Sequence, residues 1–208
     1  MGRVRDSAPS TGWWVLGSFA TALVLAALVL SIEGVDERGL DLALQATARL
    51  SFFLFLPAYL GSPLTAIFGS VFRPLKECGR DFGLAFASAH VVHLSLVGGL
   101  CVIGAAPPAA SFIFFGTAAV LTYLIALFSV TDPRRMLPLP VWRLLLMLGM
   151  NYIMFAFAVD FLREPVITEF RRMVIYLPFQ LLSVAALVLR LTGFATKLGG
   201  RKVLTPLS

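Results

Sequence analysis

Six apolar runs, each about twenty residues long, divide the chain at residues 13–32, 42–60, 82–104, 111–130, 142–161 and 172–191, with short polar or proline-bearing segments between them. At about 1.5 Å per residue, such a run matches a hydrocarbon core about 30 Å thick. Strands of a membrane barrel would be about ten residues long and would alternate in polarity, and these runs do not alternate. The pattern predicts an all-α, polytopic transmembrane helical bundle of six spans. Residues 1–208 are read as a single transmembrane domain, with 192–208 a short basic tail.

The segments between the runs set the boundaries. Trp13 and Trp14 open the first run behind Arg3 and Arg5 and read as an interfacial anchor. A basic start before an apolar core also suits a signal peptide. This core is too long for one, and no small-x-small site closes it, so an uncleaved span is expected. An acidic loop covers 33–41 and a basic loop holds Arg73, Lys76 and Arg80. Pro57 should bend the second span and Pro178 the sixth, because a proline removes a backbone donor. Pro107 and Pro108 mark a tight turn at 105–110. Asp132, Pro133, Arg134 and Arg135 close the fourth span, and Pro138 and Pro140 delay the fifth until Trp142.

Composition agrees with the pattern: 59% of residues are hydrophobic and 13% charged, against about 25% charged in soluble domains. The net charge of +6 reports orientation here rather than a nucleic-acid partner. With six spans both termini share a side, and that side carries Arg3, Arg5, Arg73, Lys76, Arg80, Arg134, Arg135, Arg143, Arg190, Lys197, Arg201 and Lys202. The other side has Arg38, Arg163, Arg171 and Arg172. By the positive-inside rule the termini are cytoplasmic and the chain is a multi-pass protein of the cytoplasmic (inner) membrane, with the lipid bilayer as its first partner. Cys78 and Cys101 fall on opposite sides of the bilayer, which rules out a disulfide between them.

Ionisable and metal-ligating residues inside a membrane are rare and point to function. Both histidines of the chain lie in one stretch, RDFGLAFASAHVVHLSLVGGLC. His90 and His93 are neighbours on one helix face, and the small residues before them leave room for a flat macrocycle or for a close neighbouring helix. Histidine is an axial ligand of haem iron and a general metal ligand; buried polar bonding between helices is the alternative. Two ligands from one helix cannot reach opposite faces of one iron, so only one of the pair could ligate a given haem. With no third histidine, the second ligand would be Met147 or Met150 on the fifth span, where Met154 continues the stripe, or a second chain, or the position stays open. Equally, the methionines could be packing. Arg49, with Gln45 one turn before it, lies inside the second span and could hold a haem propionate, pair with Asp160 or snorkel outward. Asn151 is read as a helix-to-helix bonding group. No nucleophile and base arrangement, P-loop, dinucleotide fingerprint or cysteine cluster is present, which leaves electron transfer or transport.

Three segments, TARLSFFLFLPAYLGSPL, RDFGLAFASAHVVHL and VWRLL, give the chain a resemblance to the ferric reductase-like transmembrane family, which includes the haem-binding membrane subunit of periplasmic methionine sulfoxide reductase. The resemblance covers residues 47–161. It implies a haem b cofactor with His93, ten positions after Gly83, as the ligand and His90 as an additional histidine. It further implies an oxidoreductase subunit passing electrons from the quinone pool or a redox partner protein. The chain departs from the family on the fifth span, where Leu146 stands at the first histidine position and the later region reads AVDF. Either this branch holds haem differently, possible homo-oligomer included, or it is a cofactor-free membrane scaffold that stabilises a partner.

Overall fold

The computed structural model describes the backbone of residues 11–131, 137–163 and 170–202, and side chains within 11–131, 137–162 and 175–196. Arg3, Arg5, Arg134 and Arg135 lie outside the described residues. So do most of the loop expected at 162–170 and the side chains of Arg163, Arg171, Arg172, Lys197, Arg201 and Lys202. In chain order the elements are α1 (Thr11–Glu33), α2 (Glu37–Phe68), a 3-10 turn (Gly69–Phe72), α3 (Arg73–Glu77), α4 (Gly79–Val102), α5 (Ala109–Val130), α6 (Leu139–Arg163) and α7 (Phe170–Lys202). Among the described residues six helices are long and apolar enough to cross a membrane, and no strand occurs. The chain is therefore a multi-pass membrane protein whose outward apolar side chains meet lipid.

The helices gather into two compact units, one comprising 1–55 with 80–108 and the other 56–79 with 109–208. In the first unit α1, the outer part of α2 and α4 enclose a core of Ala22, Ala26, Leu40, Ala43, Ala89, Val92, Leu96 and Leu100. Alanines at four of these eight positions let the backbones approach, which is how helices associate in lipid where no hydrophobic drive separates one apolar surface from another. Polar pins hold α1 on α4: Thr11 Oγ1 donates to Asp81 Oδ1 at 2.8 Å, Ser88 Oγ donates to the Val15 carbonyl at 2.8 Å, and the Trp14 and Phe82 rings lie 4.9 Å apart. The turn between α1 and α2 is short because each end is capped. Gly34, at φ 94°, takes the left-handed conformation that ends α1, and its N–H bonds the Leu30 carbonyl. Asp36 accepts the Gly39 N–H at 2.9 Å and caps α2. Helix α2 thus starts at Glu37, inside the segment expected to be an acidic loop.

In the second unit α5 packs on α6 and α6 on α7. Here α2 runs on to Phe68, through Pro57 and Pro63, where the sequence reading ends it at 60. The expected basic loop is likewise helical over α3 and folds back on α2, the Lys76 Cα lying 2.8 Å from where a Cβ on Gly61 would stand. Thr65 Oγ1 ties this hairpin by bonding both the Gly61 carbonyl (2.7 Å) and the Phe72 carbonyl (3.1 Å). Helix α7 also continues past the expected 191 to Lys202.

A proline inside a membrane helix leaves the carbonyl four residues earlier without its N–H, and some other group must supply a donor. For Pro63 that carbonyl belongs to Tyr59, and Arg190 of α7 donates to it from Nη1 at 2.9 Å. The same guanidinium lies over the Tyr59 ring, 4.8 Å from its centroid. One turn further along α7, Gly193 meets Pro63 so closely that an added Cβ would stand 2.8 Å from the proline Cβ and 2.9 Å from its Cα. Gln180 of α7 supplies a second repair, donating at 2.8 Å to the Phe161 carbonyl in the last turn of α6.

Candidate functional site

His90 and His93 lie on α4 within the first unit, on its face toward α2. Their rings are stacked, 5.1 Å between centroids at an interplanar angle of 12°. The row continues with Phe86, 5.4 Å from His90, and Phe55 of α2, 5.1 Å from Phe86. From α2, the positions that meet this row recur every four residues, Ala43, Thr47, Ser51 and Phe55, all buried.

Thr47 Oγ1 lies 3.1 Å from His93 Nδ1. The Thr47 hydroxyl has a single proton, directed at the Ala43 carbonyl at 2.9 Å, with the Leu44 carbonyl 3.1 Å away. With the Thr47 proton on a backbone carbonyl, His93 Nδ1 would donate to Oγ1. In that arrangement the neutral ring keeps its lone pair on Nε2. Metal-ligating histidines are held in the same way, one ring nitrogen donating to a protein oxygen while the other faces the metal. One turn from Thr47, the fully buried Ser51 Oγ has no hydrogen-bond partner.

The other expected site residues are placed differently. Arg49 is partly buried on α2, but two residues on from Thr47 it projects about 200° around the helix axis, away from the face that meets His93. Met147, Met150 and Met154 belong to α6 in the second unit: Met147 is 42% exposed, Met150 half-buried and Met154 fully buried. The Met147 group in use is its carbonyl, which accepts the Asn151 side-chain amide at 2.7 Å. Asn151 does bond between helices, accepting the Tyr59 hydroxyl at 2.8 Å. The small residues before His90 take a close neighbour, since Ser88 reaches the α1 backbone and Ala85 and Ala89 are fully buried.

For a haem, the first unit offers one imidazole oriented through a threonine oxygen, and its neighbour stacked on the same helix does not reach the opposite face of the iron. The donor set fits a single axial ligand from this chain segment. Among the described residues no group of three or more His, Cys, Asp or Glu is gathered for a bare metal ion. Sequence reading missed Thr47, although the four-residue ladder from Ala43 to Phe55 marks it as facing inward, and missed Tyr59 and Arg190, whose link to Pro63 follows from the missing proline N–H. Comparison with protein-family models, curated proteins and solved structures finds no match to this chain.

Proposed function

We propose that this chain is a membrane electron-transfer subunit that holds a b-type haem through Nε2 of His93, in the manner of the ferric reductase-like family it resembles in sequence. The observation that carries the reading is the contact of Thr47 Oγ1 with His93 Nδ1 at 3.1 Å, which engages one ring nitrogen with a protein oxygen and suits ligation through the other. A haem iron changes oxidation state by one electron, which is the chemistry the group would supply. The chain's own residues orient the imidazole through Thr47, stack His90 against it and exclude water with Phe55, Phe86 and Val92. The side with the greater share of Lys and Arg is cytoplasmic, the membrane is the cytoplasmic one, and the six spans act as one domain. Electrons come from quinone or a reductase partner. The test is the absorption spectrum of protein purified from haem-replete cells: a Soret band that shifts on dithionite reduction, lost in His93→Ala and kept in His90→Ala. A colourless wild-type preparation overturns the reading.

The close seating of α1 along the small residues of α4 favours a second reading, a cofactor-free scaffold that stabilises a partner. Under it, His93→Ala lowers the unfolding temperature of the protein and leaves every redox phenotype intact.

A further inference from the structure

Arg190 places a guanidinium within the apolar window Ile175–Thr196 of α7. Charge at that position is expensive in a membrane and calls for a counter-ion. Among the described residues it has no carboxylate: one N–H goes to the Tyr59 carbonyl and its face rests on the Tyr59 ring. A guanidinium has five N–H donors, so four are left for another acceptor. The group is also held in place. The Tyr59 ring beneath it is fixed by the bond from its hydroxyl to Asn151, which is itself fixed by the Met147 carbonyl.

Depth and surroundings identify the acceptor. In the sequence the sixth apolar run closes at residue 191, so Arg190 stands at the end of the run, at a depth where a long basic side chain meets the phosphate layer. Toward that end of the second unit α2 and α7 meet at Pro63 and Gly193. Arg73 is paired with Glu77 at 2.9 Å, whereas Lys76 is exposed without an ion pair. Along the backbone of α7 the next basic positions are Lys197, Arg201 and Lys202. We propose that Arg190 is the centre of a binding site for the phosphodiester headgroup of an anionic phospholipid. Tyr59 serves as the platform and Lys76 adds to the positive field. Basic pockets between helices on the cytoplasmic side take such headgroups, and the planar fork of arginine suits a phosphate's paired oxygens.

The test keeps the fold intact by restoring the bond that Arg190 supplies. Pro63→Ala returns a backbone donor to the Tyr59 carbonyl, so Arg190→Gln in that background removes the charge without orphaning the carbonyl. Native mass spectrometry of the full chain in detergent measures binding of phosphatidylglycerol and phosphatidylcholine with matched acyl chains, and of inorganic phosphate as competitor. The expected result is a preference of about tenfold for phosphatidylglycerol, the factor one charge-assisted bond represents, in the wild type and in Pro63→Ala. It falls to near unity in the double variant, and millimolar phosphate does not displace the lipid. Equal binding of the two lipids by the wild type, a preference retained in the double variant, or full displacement by phosphate overturns the proposal.

Discussion

Replacing Arg190 by Leu should destabilise the second unit by a route that one further substitution largely reverses. The leucine keeps an apolar stem but withdraws the donor from the Tyr59 carbonyl and the cation from above the Tyr59 ring. An orphaned buried carbonyl costs about 1–3 kcal/mol and a lost guanidinium–ring contact about 0.5–2 kcal/mol. The single substitution is therefore expected to cost about 1.5–5 kcal/mol. In a Pro63→Ala background the N–H of residue 63 closes the ordinary helix bond to Tyr59, so only the ring contact is lost. Alanine retains the Cβ that faces Gly193, which leaves the α2–α7 contact in place. The coupling between the two substitutions is then about 1–3 kcal/mol in favour of the double variant. Reversible unfolding of all four chains by sodium dodecyl sulfate in mixed micelles measures it. Single-variant effects that add to within about 0.5 kcal/mol would refute the argument that Arg190 stands in for the missing proline donor.

Other positions give sharper local tests. Gly193→Ala drives a Cβ into the Pro63 ring, which cannot yield, and should lower the unfolding temperature strongly, whereas Gly98→Ala opens onto empty space and should raise helix stability slightly in the same thermal melts. Ser51→Ala removes a buried hydroxyl that has no hydrogen-bond partner, so it should be neutral or stabilising, while Thr47→Val, which strips the acceptor from His93, should cost about 1–3 kcal/mol. Cys78, just before α4, and Cys101, in its last turn, are both free and exposed. An impermeant maleimide should label Cys101 in right-side-out vesicles and Cys78 in inverted ones; the reverse pattern inverts the proposed orientation.

The six spans were legible because apolar runs of that length have one stable solution in lipid. Their ends were less so. Pro57 reads as a bend in the second span, which the sequence reading ends at residue 60, before Pro63; in water a proline at such a site would end α2. Here Arg190, 131 positions away in sequence from Tyr59, supplies the missing donor at Pro63. No local signal carries that pairing. The basic segment around Lys76 reads as a loop in sequence, but a glycine at 61 lets it fold back as helix. For the site, the rarity of histidine marks His90 and His93 together, and only the resemblance sets His93 apart as the proposed ligand. Its partner Thr47 is one of many threonines and becomes visible only once α2 and α4 are set in register. Arg49 drew notice as a charge in a span, yet the same helical phase that turns Thr47 inward turns it elsewhere.

The bond between Arg190 and the Tyr59 carbonyl also bears on how the protein is made. Synthesis runs from the N-terminus, so α2 enters the membrane long before α7 leaves the ribosome. Until the last helix arrives, the break at Pro63 presents a bare carbonyl to lipid, and every truncated chain keeps that defect permanently. The final helix thus works as a keystone.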